Sequence, residues 1–458
     1  MNKYIHIKRF SLQHLIFIIQ YSIFLLLAAC GTQRQISKSV NTTILQDSSL
    51  QLAHVGISLY DVASNKYLYN YQGNKYFVPA SNTKIISCYA AMKYLGDSLP
   101  GINYWENDTA LFIMPTGDPT LLHSEFTNNP VIDFLKSSQK PVYITDANWK
   151  DEALGAGWSW NDYNENYLAE RSPMPVYGNI IKWVQEMSGN AASNASMEET
   201  PSIYSIPEIN WKVRFNTGAT RPGFFVQRNR DENVYMITEG TERKKEQYVP
   251  FVTHGVQSAV ELLPDSIGKE VFYKEALPEG AGPWRTIRSQ PIDSMLAPMM
   301  HRSDNFYAEQ SLLMVSQALL GFMNDRSIVD TLLKTDLSGL PQPPRWADGS
   351  GLSRYNLFTP NDFVTVLKKM HDEFGMERMK VILPTGGEGT LSNLYKQDVH
   401  HIFAKTGTLS GVVALSGYLY TRKNKLLIFS VLINNHRGSA ITIRRSIEAF
   451  LTGIRNRY

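Results

Sequence analysis

The sequence predicts an α+β protein of several domains, in which a mainly β segment interrupts a larger domain. The chain has 458 residues, enough for two or three domains of roughly 150 residues each. Strand patterns lie near both ends of the chain, and helical patterns lie next to them in the sequence. Residues 151–280 differ from the rest of the chain in composition and pattern, with strand-like, aromatic and polar stretches. We expect one or two inserted domains there.

The N-terminus carries a targeting signal. Basic residues precede an apolar stretch that is shorter than a membrane-spanning helix, which predicts a cleaved signal peptide over residues 1–29. Small residues directly before Cys30 resemble a bacterial lipoprotein signal, so we expect Cys30 to become the lipidated first residue. Residues 30–49 are mostly polar and predict a flexible tether. An ordinary secretory signal with an incidental cysteine is the alternative.

Composition argues against several classes of function. The chain has 45 basic and 42 acidic residues and no long basic run, so no nucleic-acid partner is expected. Of its two cysteines, Cys88 would be alone once Cys30 is lipidated, which leaves no intrachain disulfide. No zinc-binding motif occurs, and the adjacent His400 and His401 would point to opposite faces of a strand. We predict no metal and no cofactor.

The first domain segment begins with a predicted hairpin of strands His54–Asp61 and Lys66–Tyr71, followed by a helix that begins at or near Ser81. Ser81 and Lys84 share one face of that helix, because they are three residues apart. A hydroxyl nucleophile needs a base within hydrogen-bond reach, and an amine can supply one. The positive end of the helix dipole would favour a developing anion.

Ser-x-x-Lys is a common pattern and recurs at Ser137/Lys140 and Ser266/Lys269. The copy at Ser81 is favoured because it opens an apolar helix and because two further motifs follow it. The later predicted elements are helices over 131–138, 292–300, 305–320 and 441–454, a helix starting at Thr359, and strands over 141–145, 233–238, 401–409, 413–420 and 426–433. Four arginines lie in or just after the last helix: Arg444, Arg445, Arg455 and Arg457. They are interpreted as a solvated face, and the alternative is that they help the helix lie near an anionic surface.

Three motifs occur in order along the chain: Ser81-Asn82-Thr83-Lys84, Ser303-Asp304-Asn305 and Lys405-Thr406-Gly407-Thr408. This is the motif set of penicillin-binding proteins and serine β-lactamases. Each motif alone is weakly specific, since Ser-x-Asn also occurs at Ser39, Ser159 and Ser188. The order of all three predicts an active-site serine enzyme.

Each residue type suits acyl transfer. Ser81 would attack a carbonyl, and a neutral Lys84 would accept its proton. Burial and a nearby cation would lower the pKa of Lys84, and Lys405 is the candidate for that cation. Ser303 would relay a proton to the leaving amine, and Asn305 would hold Lys84 and the substrate amide.

The third motif is expected to bind substrate. On a strand, Lys405 and Gly407 would share one face, and Thr406 would take the other. Gly407 would let a substrate backbone approach closely. The N–H groups of Ser81 and Thr408 would form an oxyanion hole, in which losing one donor costs about a hundred- to a thousandfold in rate.

With these motifs, and with the long separation of Lys84 from Ser303, the chain resembles the D-alanyl-D-alanine carboxypeptidase/endopeptidase family of low-molecular-mass penicillin-binding proteins. That family carries a large insertion between its first two motifs. Further similar stretches are Gly117–Leu121, Gly157–Asp162, Ala308-Glu309, Asp348–Arg354 and Gly389–Leu391.

The resemblance implies a β-lactamase/transpeptidase-like fold, with a five-stranded antiparallel sheet flanked by helices and an α-helical lobe. The penicillin-binding catalytic domain would comprise residues 50–110 and 284–458, and residues 111–283 would form the insertion. The implied reaction is hydrolysis of the D-Ala-D-Ala bond of peptidoglycan stem peptides through an acyl-Ser81 intermediate. Cleavage of cross-links and covalent inhibition by β-lactams are also implied.

By its match to the family's tryptophan-rich stretch, Asp162 would bind the free amine of the stem-peptide diamino acid. A loop-capping carboxylate is the alternative, and Asn161 stands where the family usually has a first Asp. The stretch between 180 and 280 looks shorter than the family's insertion, or has diverged from it. A lipoprotein signal is not a general family feature, so the expected location, anchored through Cys30 on the periplasmic side of a bacterial membrane, rests on this sequence.

Two other functions remain open. A serine β-lactamase would share the three motifs, although the long insertion and the absence of a recognisable deacylating Glu motif argue against it. A non-catalytic, peptidoglycan-binding lipoprotein of the same fold would release no D-Ala. Three intact motifs argue against a decayed site.

Overall fold

The computed structural model describes residues 34–188, 200–216 and 223–458. The predicted signal peptide and Cys30 lie outside the described residues. The helices are α1 (described over 34–40), α2 (Lys84–Tyr94), α3 (Pro130–Ser137), α4 (Gln257–Ile267), α5 (Ile292–His301), α6 (Asn305–Leu320), α7 (Asp325–Lys334), α8 (Pro360–Ile382) and α9 (Ala440–Arg457). Within these residues, no helix is long and apolar enough to cross a membrane.

The strands follow the same chain order and build four sheets. They are β1 (His54–Asp61), β2 (Lys66–Tyr71), β3 (Ser98–Glu106), β4 (Leu111–Pro115), β5 (Val142–Ile144), β6 (Ile180–Ser188), β7 (Thr200–Ile206), β8 (Lys212–Phe215), β9 (Phe225–Arg228), β10 (Val234–Thr238), β11 (Lys244–Pro250), β12 (Val271–Tyr273), β13 (Arg285–Pro291), β14 (Ile402–Leu409), β15 (Val412–Tyr420) and β16 (Leu426–Asn434).

The main sheet joins the first strands of the chain to the last. Its order is β14-β15-β16-β1-β2, and every pair is antiparallel. Successive residues of β16 point to opposite faces, so Ile428 and Leu432 enter the core of the helical lobe, whereas Val431 and Ile433 pack with α9. The five-stranded antiparallel sheet flanked by helices is therefore confirmed.

The helical lobe packs around α2, which is buried on all sides from Lys84 to Met92. Apolar residues of α5, α6 and α8 surround it. Cys88 lies in this core with no exposed surface. The predicted start of α8 is also confirmed, because Thr359 Oγ1 accepts from the Asp362 N–H and the Asp362 carboxylate accepts from the Thr359 N–H.

A second sheet begins the insertion. Its order is β12-β5-β4-β3-β13, with α3 and α4 contributing apolar residues to its core. The strands β3 and β13 pair with each other, yet they lie outside the predicted insertion limits of 111 and 283. We propose that the insertion extends to both strands, because backbone hydrogen bonds bind them to this sheet.

Two small sheets complete the insertion. One has the order β11-β6-β7, and the other has the order β8-β10-β9. Trp183 of β6 and Tyr235 of β10 pack together, with their ring centroids 5.0 Å apart. Both rings belong to the same apolar cluster as Ile113 of the second sheet, so the parts of the insertion share one core.

Candidate active site

Ser81 lies on a single 3₁₀ turn that leads into α2. The turn spans Ala80–Thr83, so the predicted helix start near Ser81 is confirmed, with a first turn that is tighter than an α-helix. Lys84 Nζ donates a hydrogen bond to Ser81 Oγ at 3.0 Å. The three-residue spacing thus brings an amine to a hydroxyl at the start of a buried helix.

Lys84 has three hydrogen-bond acceptors. Besides Ser81 Oγ, its Nζ contacts Asn305 Oδ1 at 2.6 Å and the carbonyl oxygen of Ser350 at 2.8 Å. Burial lowers the pKa of Lys84 from 10.5 to about 8, although nearby carboxylates, chiefly that of Asp348, oppose the shift. An amine with such a pKa can act as a base near neutral pH.

Ser303 lies in the short connection between α5 and α6, with a φ of +66°. The next residue, Asp304, caps α6 by accepting a hydrogen bond from the Tyr307 N–H at 3.0 Å. Ser303 Oγ accepts a hydrogen bond of 2.9 Å from Lys405 Nζ. The turn and the helix cap together direct Ser303 towards β14 and Asn305 towards Lys84.

Burial affects both lysines of the site. It lowers the pKa of Lys84, as predicted, and nearby carboxylates oppose this shift. The pKa of Lys405 is lowered well below 10.5 by burial and by the positive charges of Lys84 and Arg444. The two amines lie close enough for each charge to disfavour the other.

Gly407 packs closely against the backbone of the chain itself. On β14, a Cβ at Gly407 would lie 2.7 Å from the carbonyl oxygen of Pro79. The close approach is made by the chain's own backbone beside Ser81, and this contact alone requires glycine. Thr406 pairs with Leu415 in the sheet, and Thr408 is exposed.

One cavity of about 750 Å³ connects all three motifs. Its wall includes Ser81, Ser303, Asn305 and Thr408, so the structure brings the three motifs to one opening. The lining residues outside these motifs are Gly157, Ser159, Asp162, Tyr167, Leu168, Gly351, Leu352, Arg354, Leu409 and Ser410.

Asp162 lies on the loop that forms the outer wall of this cavity and is half-buried. The Tyr167 hydroxyl donates a hydrogen bond to it, and burial together with this bond raises the pKa of Tyr167 to about 12. The backbone carbonyl of Tyr167 accepts a bond of 3.0 Å from Asn305 Nδ2. The loop that carries Asp162 is thus tied to the second motif, a link that no sequence pattern indicated.

Of the two tryptophans in that loop, only Trp158 packs against another segment. Its Nε1 donates to Asp348 Oδ2 at 3.0 Å, whereas Trp160 is 70% exposed. Trp158 therefore packs within the protein, and Trp160 faces solvent.

Sequence reasoning missed a buried ionic network behind Lys84. Glu309 Oε1 accepts from the N–H of Ser350 at 2.7 Å, and the carbonyl of Ser350 is an acceptor for Lys84. The other Glu309 oxygen lies 3.6 Å from the guanidinium of Arg171, a residue of the insertion. Burial raises the pKa of Glu309 to about 7. The insertion thus supports the Lys84 site from behind.

The two other Ser-x-x-Lys patterns, Ser137/Lys140 and Ser266/Lys269, do not form a second Ser–Lys site in the described residues. Ser137 Oγ donates to the Phe134 carbonyl, and Ser266 Oγ is bonded to the Tyr177 hydroxyl. Lys269 donates to backbone carbonyls instead of to Ser266. In the same described segments, no group of three or more His, Cys, Asp or Glu side chains is placed to hold a metal ion.

The interpretation of the C-terminal arginines as a solvated face is wrong for two of them. Arg455 pairs with Asp398 at 3.2 Å, and its side chain is only 11% exposed. Arg444 is half-buried and donates a hydrogen bond to Thr408 Oγ1. A helical pattern alone does not reveal that this turn of α9 faces the end of β14.

Comparison with known proteins places the whole arrangement among carboxypeptidases. The D-Ala-D-Ala carboxypeptidase 3 (S13) family model matches residues 36–453. A D-alanyl-D-alanine carboxypeptidase of Actinomadura sp. (strain R39) is 26% identical over 442 residues, covering 87% of this chain and 80% of the relative. The carboxypeptidase DacB of Haemophilus influenzae is 24% identical over 447 residues, covering 87% and 89%.

Solved structures show the same fold. Penicillin binding protein 4 (dacB) of Haemophilus influenzae superposes with a TM-score of 0.69 at 20% identity, covering 92% of this chain and 98% of that one. A predatory endopeptidase of Bdellovibrio bacteriovorus, solved with an immunity protein, gives a TM-score of 0.51 at 12% identity, covering 88% and 94%.

Proposed function

Because the chain belongs to the D-Ala-D-Ala carboxypeptidase 3 (S13) family of serine peptidases, we propose that Ser81 is the nucleophile with which it hydrolyses the D-Ala-D-Ala bond of peptidoglycan stem peptides. The observation that carries this proposal is the contact of 3.0 Å between Ser81 Oγ and the buried Lys84 Nζ. The same site would cleave peptide cross-links, and β-lactams would acylate it.

Acylation follows from the geometry of the three motifs. Ser81 Oγ attacks the scissile carbonyl carbon while neutral Lys84 accepts the hydroxyl proton. The N–H groups of Ser81 and Thr408 stabilise the oxyanion. When the C–N bond breaks, the leaving amine takes a proton from the Ser303 hydroxyl, and a protonated Lys405, 2.9 Å away, restores it.

Deacylation closes the cycle. Water attacks the acyl carbon and gives its proton through Ser303 to Lys405, which is neutral after the first step. The bond to Ser81 Oγ breaks, and protonated Lys84 returns its proton to this oxygen. The shortened peptide leaves with the new carboxylate, and both lysines regain their starting states.

Asp162 is the proposed site for the free amine of the stem-peptide diamino acid. It lines the same cavity as Ser81 and is tied to Asn305 through Tyr167. Asp162→Asn should lower kcat/KM for a substrate with a free side-chain amine and spare its acetylated form. Glu165→Gln, on the exposed part of the same loop, is the matched control. An equal loss for both substrates would favour a loop-capping role.

The proposed location is the periplasmic side of a bacterial membrane, with a lipid on Cys30 as the anchor. The support is the small-residue stretch before Cys30. The described part of the segment after it is not the flexible tether that was predicted, because residues 34–40 form α1 and Ile36, Val40 and Ile44 are buried in the apolar core that includes α9. In this arrangement the catalytic cavity would reach cell-wall peptides while the chain stays attached.

The test is D-Ala release from a pentapeptide muropeptide, measured with fluorescent-penicillin labelling. Ser81→Ala should abolish both signals, and Ser137→Ala, in the exposed copy of the same pattern, should preserve them. Labelling without D-Ala release, but with cleavage of cross-linked dimers, would assign an endopeptidase alone. Rapid loss of the label with nitrocefin turnover would assign a β-lactamase. No labelling and no release by the wild type would refute the role of Ser81.

A further inference from the structure

A second cavity, of about 490 Å³, lies on the other side of the loop that carries Asp162. Trp160 and Tyr163 of this loop line the second cavity, whereas Ser159 and Asp162 line the catalytic one. Leu168, at the end of the loop, lines both. The loop is thus a wall between two cavities, and a substrate long enough to cross it would occupy both.

The second cavity offers aromatic surfaces. Trp160 is 70% exposed, although tryptophan is highly buried on average in folded proteins. Trp149 and Tyr163 also line the cavity and are half-buried. The guanidinium of Arg228 lies 5.5 Å from the centre of the Tyr163 ring and covers part of it. Trp160 therefore presents the most open ring, and an apolar face that packed on it would leave water.

The rest of this wall is polar, and its positive charges are already paired. Each arginine of the wall has a carboxylate partner: Arg171 with Asp151 at 2.8 Å, Arg228 with Glu170 at 3.7 Å and Arg230 with Asp231 at 2.8 Å. The lining carboxylate outside these pairs, that of Glu152, is exposed. It would repel an anion and accept hydrogen bonds from hydroxyl groups. The wall therefore suits an uncharged ligand with many hydroxyl or amide groups.

We propose that the second cavity binds the N-acetylated sugar that carries the stem peptide, with Trp160 as the surface on which the sugar ring stacks. This inference rests on the proposed function and adds a further part of its substrate. One face of a pyranose ring consists of C–H groups, which pack on the indole, while the hydroxyl and acetamido groups contact the polar wall. The carboxyl group that links this sugar to the peptide is consumed in an amide bond, so the sugar is uncharged.

The loop also gives the order of the binding sites along the substrate. Trp160 and Asp162 belong to one 3₁₀ turn and are only two residues apart. The stem peptide therefore runs from the sugar at Trp160, past Asp162, to its D-Ala-D-Ala end at Ser81. Because Trp160 does not touch the reacting atoms, its contact with the sugar strengthens substrate and transition state equally. The contact lowers KM and leaves kcat unchanged.

The test compares two pentapeptide substrates that differ at the amino end. One carries the N-acetylated disaccharide, and the other carries an acetyl group in its place. D-Ala release gives kcat and KM for each. The wild type should favour the sugar substrate. Trp160→Ala should lower kcat/KM about three- to tenfold for the sugar substrate, through KM, and less than about twofold for the acetylated peptide, because one stacking contact is lost. Trp160→Phe should restore part of the preference.

Phe215→Ala is the matched control, because it removes another exposed ring, on β8 and outside both cavity walls. It should leave both values of kcat/KM unchanged. Thermal denaturation of each variant reports whether it folds.

An equal loss for both substrates in a folded Trp160→Ala, or no loss for either, would overturn the inference while leaving the proposed function standing. A loss confined to the cleavage of a sugar-free cross-linked dimer would assign the second cavity to a peptide strand and would also overturn it. No D-Ala release from either substrate by the wild type would instead refute the proposed function.

Discussion

Gly407 packs directly against Ser81: a Cβ on Gly407 would lie 3.1 Å from the Ser81 backbone nitrogen. This contact fixes β14 beside the turn that carries Ser81. One contact atom belongs to the Ser81 N–H that we propose for the oxyanion hole, and the other proposed N–H, that of Thr408, follows Gly407 on β14. The position of β14 beside Ser81 therefore requires that residue 407 has no Cβ atom.

Gly407→Ala should separate β14 from Ser81. The added Cβ meets backbone atoms that cannot rotate away, and such overpacking costs about 1–3 kcal/mol. We expect at least a tenfold slower acylation by penicillin and a lower melting temperature. Gly339→Ala is the control, because a Cβ at Gly339 has no atom within 4 Å. Wild-type acylation by Gly407→Ala would contradict the described contact.

Much of the fold was predictable because its signals are local. The hairpin of β1 and β2, the start of α8 and the last three strands follow strong alternation or a capping pattern, and their bounds agree within a few residues. The pairing of β3 with β13 was not predictable in this way, since the two strands are separated by the rest of the insertion. No local pattern encodes such a partner.

The candidate site also has a part that the sequence predicts and a part that it does not. The three motifs consist of contiguous side chains with recognisable chemistry, and they meet in one cavity. The carbonyl of Ser350 was missed because any residue has a backbone carbonyl. Arg444 was misread because helical periodicity does not reveal what lies opposite an arginine. The carboxylates that oppose the pKa shift of Lys84 come from distant segments of the chain.

The rate of acylation should depend on the protonation of Lys84. Burial lowers the pKa of this amine to about 8, and only the neutral form accepts the Ser81 proton. The rate should therefore rise about tenfold per pH unit below this value and level off above about pH 8. Single-turnover penicillin labelling at several pH values measures it. A rate that is flat or falls between pH 6 and 8 would exclude Lys84 as the base.

Asp118 should make stability depend on pH. Burial raises its pKa from 3.8 to about 6, so the folded chain holds a proton that the unfolded chain releases. The stability from the neutral carboxyl is complete below about pH 4 and is lost as pH rises through about 6, a loss of about 3 kcal/mol.

Asp118→Asn removes this titration while keeping an acceptor for the Thr120 N–H. Its melting temperature should fall less than that of the wild type between pH 4 and 7. Asp108→Asn, at an exposed position, should follow the wild type. Parallel curves for wild type and Asp118→Asn would show that the carboxyl is already ionised at pH 4.

Cys30 should determine membrane attachment. Cys30→Ala should move the protein from the membrane fraction to the soluble fraction when cells are separated without detergent, because the lipid attachment site is lost. Cys88→Ala removes the other cysteine of the chain and should stay with the membranes. If both variants fractionate like the wild type, the anchor is not a lipid on Cys30.

The most direct measurement of the central claim is peptide mapping by mass spectrometry after incubation with a β-lactam. We expect one acyl adduct, on the peptide that contains Ser81, and none on the peptides that contain Ser137 or Ser266. Lys84→Met should form this adduct at least a hundredfold more slowly, because no other amine contacts Ser81 Oγ among the described residues. An adduct on another serine, or none on Ser81 after full exposure, would contradict the account.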